Sequence, residues 1–177
     1  LSATNNFAVI LVSDSNDPTK LTIGSMDFNG YFVKWSNNGA TDTFGLFKQE
    51  GTTETLLVDM GWPLAANAYS GYSLRVSRNA AGEWFMYGAA GFDTATAMTY
   101  YGTAADNDVT TSSYFAVSSN ITNPSAARRL FFDNLMIRPL TEVNFSVASG
   151  SVTEDDTDIT YTLTVNISNP DDRCATT

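Results

Sequence analysis

Histidine is absent from this chain of 177 residues, and cysteine occurs once, at Cys174. Without an imidazole there is no histidine general base, no Ser-His-Asp or Cys-His arrangement, and no histidine ligand for zinc. A single cysteine cannot close an internal disulfide. Basic residues are also scarce: nine Lys and Arg stand against nineteen Asp and Glu, for a net charge of −10. A surface that grips phosphates needs clustered cations, so neither nucleic acid nor anionic membrane is an expected partner. No apolar run approaches the roughly 18 residues of a membrane-spanning helix, so membrane insertion is not expected either. Leu1-Ser2-Ala3-Thr4 carries neither the basic patch nor the apolar core of a signal peptide. The chain is therefore expected to be a mature or excised piece of a longer protein.

Apolar material is plentiful. Hydrophobic residues make up 43% of the chain and aromatics 12%, enough for a packed core and too much for disorder. The pattern that organises it has a period of two. Phe7 to Val12, Gly30 to Trp35, Phe44 to Lys48 and Glu54 to Asp59 read as strands separated by turn formers such as Ser13-Asp14-Ser15-Asn16-Asp17-Pro18. Tyr72-Ser73-Leu74-Arg75-Val76-Ser77-Arg78 alternates strictly and places Tyr72, Leu74 and Val76 on one face. Asn79-Ala80-Ala81-Gly82 then leads to Glu83-Trp84-Phe85-Met86-Tyr87, which predicts a β-hairpin. Ser113 to Val117 and Arg129 to Ile137 complete the set. Leu64 to Ala68 and Ser125 to Arg128 have at most one helical turn each. About nine short strands with turns between them predict an all-β, antiparallel two-sheet sandwich or jelly roll.

The pattern breaks at Pro139, since proline cannot donate to a strand ladder. Alternation then restarts in Val143 to Val147, and Ile159, Tyr161, Leu163, Val165 and Ile167 share one face of the cleanest strand in the chain. The expected organisation is one domain over residues 1–139 and a second, partial one over residues 140–177.

Two resemblances follow. Gly30-Tyr31-Phe32-Val33, Phe44 to Gln49, Val76-Ser77-Arg78 with Gly82-Glu83-Trp84, Ser113 to Val117 and Phe131 to Leu135 resemble the laminin-G-like, concanavalin-type jelly roll of large secreted bacterial surface proteins. Such domains carry one or two strands ahead of the piece matching Phe7 to Ser13, and these are expected to be missing here. Val143-x-Phe145, Ala148-Ser149-Gly150-Ser151-Val152-x-Glu154 and the alternating strand ending in Ser168-Asn169-Pro170 resemble the start of a Calx-beta module, an immunoglobulin-like sandwich. This resemblance implies that Glu154 contributes one calcium ligand and that the ligands completing such a site lie beyond Thr177. Asp155 and Asp156 have no counterpart in the motif and read as a solvated turn.

The first resemblance raises glycoside hydrolysis, which needs two carboxyls facing the scissile bond. Related laminarinase-type enzymes set such acids at alternate positions of one strand. Glu50, Glu54 and Asp59 form the nearest cluster, and their spacing does not hold one face of one strand. The expectation is therefore a protein that is not an enzyme. Glycan binding asks for exposed aromatic rings with a few polar groups. Trp62, in the loop Met60-Gly61-Trp62-Pro63, and Tyr100-Tyr101 are the candidates, against the alternative that these rings pack over the sandwich edge; Trp35 and Trp84 lie in strand patterns and read as core. Calcium takes closely spaced oxygens. Asp14 and Asp17, and Asp106 and Asp108, offer them, although such residues also shape turns without any metal. Asp133, within an apolar strand, needs a partner and reads as structural. Asp93-Thr94-Ala95 fits a bacterial O-glycosylation pattern centred on Thr94, and Asn120, Asn144 and Asn166 begin Asn-x-Ser/Thr triplets.

Together these readings point to a non-catalytic adhesion or recognition module of a large secreted or cell-surface bacterial protein. The expected ligand is a glycan or surface polymer, with calcium as the one expected ion and neighbouring domains of the same long chain as further partners. The alternatives are a structural spacer in a stalk or fibre, and an accessory domain of a carbohydrate-active enzyme.

Overall fold

A computed structural model describes residues 5–37, 42–61, 71–91, 97–112, 114–121, 135–137, 142–145 and 165–168. Among them every regular element is a β-strand. The strands are β1 (Asn5–Ser13), β2 (Phe28–Asn37), β3 (Asp42–Gly51), β4 (Thr53–Asp59), β5 (Tyr72–Arg78), β6 (Glu83–Ala90), β7 (Thr99–Ala105), β8 (Ala116–Ile121), β9 (Glu142–Phe145) and β10 (Val165–Ser168). The chain divides into two units, Leu1–Leu130 and Phe131–Thr177.

The first unit holds a five-stranded sheet, in the order β4-β3-β2-β1-β8, and a three-stranded meander, β5-β6-β7. All described strand pairs are antiparallel. The two sheets bury one core between them. Tyr31 and Val33 from β2, Phe44 and Leu46 from β3, Val58 from β4 with Met60 just beyond it, and Trp84 and Met86 from β6 form it. Tyr31, Leu46 and Met86 are completely buried, and each such apolar side chain contributes roughly 1.5–3 kcal/mol by leaving water. Gly102 on β7 lets the sheets come this close: a Cβ there would stand 2.8 Å from Cγ1 of Val58.

Alternation in β2 sends Phe28 and Phe32 to the opposite face. There they join Ala8 and Ile10 of β1, Phe47 of β3, and Leu21, Ile23 and Met26 from the connection between β1 and β2. That connection folds back as a cover, tied down where Nε2 of buried Gln49 donates to the Met26 carbonyl at 3.4 Å. Ile23 N–H donates to Oγ of Ser118 on β8 at 2.9 Å. Covered on both faces, β2 reads as the continuous apolar run Tyr31-Phe32-Val33 rather than as an alternating strand. A bulge between Ile10 and Val12 shifts register and brings β1 onto Gly30. A Cβ at Gly30 would lie 1.9 Å from the Val12 carbonyl oxygen, so no larger residue fits.

The hairpin over residues 79–82 is present, between β5 and β6. Two strands differ from expectation. The segment predicted over Ser113 to Val117 pairs instead as Ala116–Ile121, extending into Ser118-Ser119-Asn120. An edge strand is held by its ladder to β1, so it needs no apolar sequence of its own. β7 was not predicted, because a bulge opposite Met86 and Tyr87 interrupts its alternation at Tyr101.

In the second unit β9 and β10 pair antiparallel, with Phe145 opposite Val165 and Val143 opposite Ile167. Pro139, Asp133, most of the strand predicted from Ile159, and Leu64 to Ala68 lie outside the described residues. So do residues 125–134; Leu135 to Ile137 are exposed and carry no strand.

Candidate functional site

Strand β5 carries two arginines three positions apart, so they point to opposite faces of the three-stranded sheet. Arg78 faces inward. Its guanidinium lies 5.3 Å from the ring centre of Tyr31 and 5.0 Å from that of Trp84. Nη1 donates to the Val109 carbonyl at 2.8 Å, and Nη2 to Oδ1 of Asn107 at 2.7 Å and the Asp106 carbonyl at 3.3 Å. Nε1 of Trp84 also donates to the Asp106 carbonyl, at 3.3 Å. The loop after β7 is thus fastened to the core.

Lys48 closes the same loop from the other sheet. It sits opposite Tyr31 in the β2–β3 ladder, is 7% exposed, and bonds to Asp108. Its ammonium is 3.1 Å from Glu50 and 3.4 Å from Asp106. The Asp108 carboxylate, set against burial and aided by Glu50 and Asp106, raises the Lys48 pKa far above its usual value. Tyr31 donates its hydroxyl proton to Asp106 and accepts the Val109 N–H at 3.3 Å. Burial pushes the Asp106 carboxyl up, but the Tyr31 hydroxyl, the Asp108 amide and Lys48 outweigh it and hold Asp106 below the usual carboxylate range. Burial and the bond to Asp106 raise the Tyr31 phenol. Asp106 and Asp108, the acids offered to calcium, are here bound to cations and donors of the chain itself.

Arg75 faces outward and is exposed. It lies directly opposite Tyr87 of β6, and Tyr87 directly opposite Tyr100 of β7. The guanidinium stands 4.1 Å from the Tyr87 ring centre. The Tyr87 and Tyr100 rings are 5.4 Å apart, tilted by 54°. Tyr100 is 51% exposed. These three residues form a row across the outer face of the sheet, with an aromatic floor and a cation at one end. The bulge at Tyr101 makes it possible: Tyr101 packs against the inner core while its neighbour Tyr100 faces out. The tyrosine pair singled out in the sequence therefore divides. Tyr87 and Arg75 were missed, although the alternation of Tyr72, Leu74 and Val76 already put Arg75 on the face away from the core.

The remaining candidates are dispersed. Asp14 accepts from the Asn29 N–H at 2.8 Å and from its Nδ2 at 2.7 Å; the backbone bond is the main cause of its lowered pKa. With Lys20, Asp27 and Asn29 it lines an open hollow of about 310 Å³ that does not include Asp17. Oδ1 of Asp17 accepts from the Thr19 hydroxyl at 2.7 Å and the Thr19 N–H at 2.9 Å, which lowers its pKa. Among the described residues no three acids gather as a metal site. Glu50, Glu54 and Asp59 stay apart: Glu50 meets Lys48, Glu54 bonds Lys34, and Asp59 accepts from Thr43 and the Gly61 N–H. Trp84 is core, and Trp35 is half-buried against Phe44. Trp62, Thr94 and Glu154 lie outside the described residues. No protein-family model, no curated protein and no solved structure matches the chain.

Proposed function

We propose that this chain is a non-catalytic recognition module of a large secreted or cell-surface bacterial protein, and that it binds glycan. The observation that carries this reading is the Tyr87–Tyr100 row on the outer face of the three-stranded sheet. A sugar ring presents axial C–H bonds on one face, and a flat aromatic surface takes that face while polar neighbours orient the hydroxyls. The described carboxylates near the sheet ends are tied to the chain's own donors, an arrangement that suits a scaffold better than acid–base chemistry. A glycan panel tested with the whole chain is expected to give one class of binder, and Tyr100→Ala to abolish that binding without lowering Tm. Silence across the panel overturns the reading.

In this reading the first unit is a laminin-G-like jelly roll, and β9 and β10 are opening strands of a Calx-beta module. Calcium then enters through Glu154 together with the module's later acids, and a calcium-dependent rise in Tm of a version carrying the whole module tests it, because an ion that binds only the folded state raises Tm. The division into two units favours a second reading, a spacer that joins neighbouring domains. A silent panel would leave that one standing.

A further inference from the structure

We infer that the outer row reads a carboxylated sugar, with the ring of a uronic-acid residue on Tyr100 and its carboxylate on Arg75. This rests on the glycan reading above and narrows it to acidic polymers. The argument begins with the cations. Among the described residues there are five, and four are engaged: Lys20 with Asp27, Lys34 with Glu54, Lys48 with three carboxylates, and Arg78 with two carbonyls and an amide oxygen. Among the described residues Arg75 has no hydrogen-bond or ion-pair partner, and its guanidinium stands over the Tyr87 ring. In a chain of net charge −10, acids to pair with are plentiful, yet this arginine pairs with none of the described ones.

Its surroundings keep it so. The outward positions on the same sheet are Ser73 and Ser77 on β5, Phe85 and Tyr87 on β6, and Tyr100 and Thr103 on β7. Among the described residues the acid on this face is Glu83, four residues along the strand from Tyr87. At about 3.3 Å per residue that is roughly 13 Å away, and Glu83 is itself bonded by Asn79. A Debye length of about 8 Å at physiological salt screens the more distant acids from an exposed ligand. Counting the described residues, the surroundings of Arg75 are cationic within an acidic protein. The guanidinium stands 4.1 Å from the Tyr87 ring centre, and its fork of N–H donors has no acceptor among the described residues. A fork of this kind matches a carboxylate, which accepts two parallel hydrogen bonds. A neutral sugar would offer the guanidinium single hydroxyl oxygens but no anionic partner that accepts two parallel bonds.

The test uses the whole chain with polygalacturonic acid and with the same polymer after carboxyl reduction, in a chelator so that calcium cannot bridge two anions. Binding is measured by calorimetry or affinity electrophoresis. The expected result is at least about tenfold tighter binding of the acid polymer. Arg75→Gln is expected to erase that preference, while Tyr100→Ala removes binding of both polymers. Equal binding of the two polymers by the parent chain overturns the acid inference and leaves the glycan reading intact. So does binding of other glycans with neither of these. Acid binding that survives both substitutions overturns the placement on this face. A concentration-dependent dimer that Tyr100→Ala dissolves overturns the proposal as well, since a second copy would then cover the row. No binding to any glycan overturns the underlying reading itself.

Discussion

Arg75 and Arg78 stand on one strand, each over aromatic rings, and they differ in almost everything else. Arg78 rests against Tyr31 and Trp84 with its amino groups bonded to Val109, Asp106 and Asn107. Arg75 rests against Tyr87 with no acceptor among the described residues. The first is part of how the loop after β7 is held. The second is exposed, and its donors meet no acceptor among the described residues. The difference teaches that an arginine on an aromatic ring is not by itself a sign of either role; the state of its N–H groups decides.

The largest expected effect is on the inward side. Arg78→Ala should cost about 2–4 kcal/mol in denaturant unfolding, because it strips partners from two carbonyls and uncovers Tyr31 and Trp84. If it costs no more than Arg75→Ala, the contrast between the two arginines collapses. Lys48→Met comes next, at about 1–3 kcal/mol, since it leaves Asp106 facing Tyr31 without its ammonium. Asp108 is exposed and can turn to water, which keeps this below the cost of a fully buried broken pair.

A pH profile sharpens the comparison further. Asp106 has a lowered pKa, so its contribution is present above the unfolded carboxylate value of about 3.9 and is lost as pH falls through its folded value. Tyr31 and Lys48 have raised pKa values. Their contribution is full below the unfolded values of about pH 10 and is lost as pH rises above these through the raised folded values. Tm should therefore fall off at both limbs, and Asp106→Asn should flatten the acid limb. An unchanged acid limb would separate Asp106 from the clamp. The smallest effect belongs outside: Arg75→Ala should change stability by no more than about 0.5 kcal/mol, read as an unchanged denaturation midpoint.

Much of the scaffold could be read along the chain. The β5–β6 hairpin, the inward face of Tyr72, Leu74 and Val76, and Trp84 as core all follow from local turn chemistry and alternation. The two arginine settings could not be read so easily, because each depends on a partner far away in sequence. Lys48 meets Asp108 across sixty residues, and no local pattern distinguishes a clamped Asp-Asn-Asp loop from a calcium loop or a wet turn. The outer row depends on register. A four-residue hairpin loop would pair Arg78 with Glu83 and set Arg75 beside Met86, whereas the observed pairing of Arg78 with Trp84 sets Arg75 beside Tyr87. A slip of one residue exchanges the faces. At Tyr101 the bulge adds a second shift that alternation alone does not foresee.

The five-stranded sheet has apolar cover on both sides, from the other sheet and from the connection carrying Leu21, Ile23 and Met26. The outer row of the three-stranded sheet stands apart from both cores. Substitutions there are free of the packing constraints that bind Tyr31 or Phe32, and their effects on stability should add independently to those of core substitutions. The outer face can thus change its side chains while both cores, and the fold they hold, stay as they are.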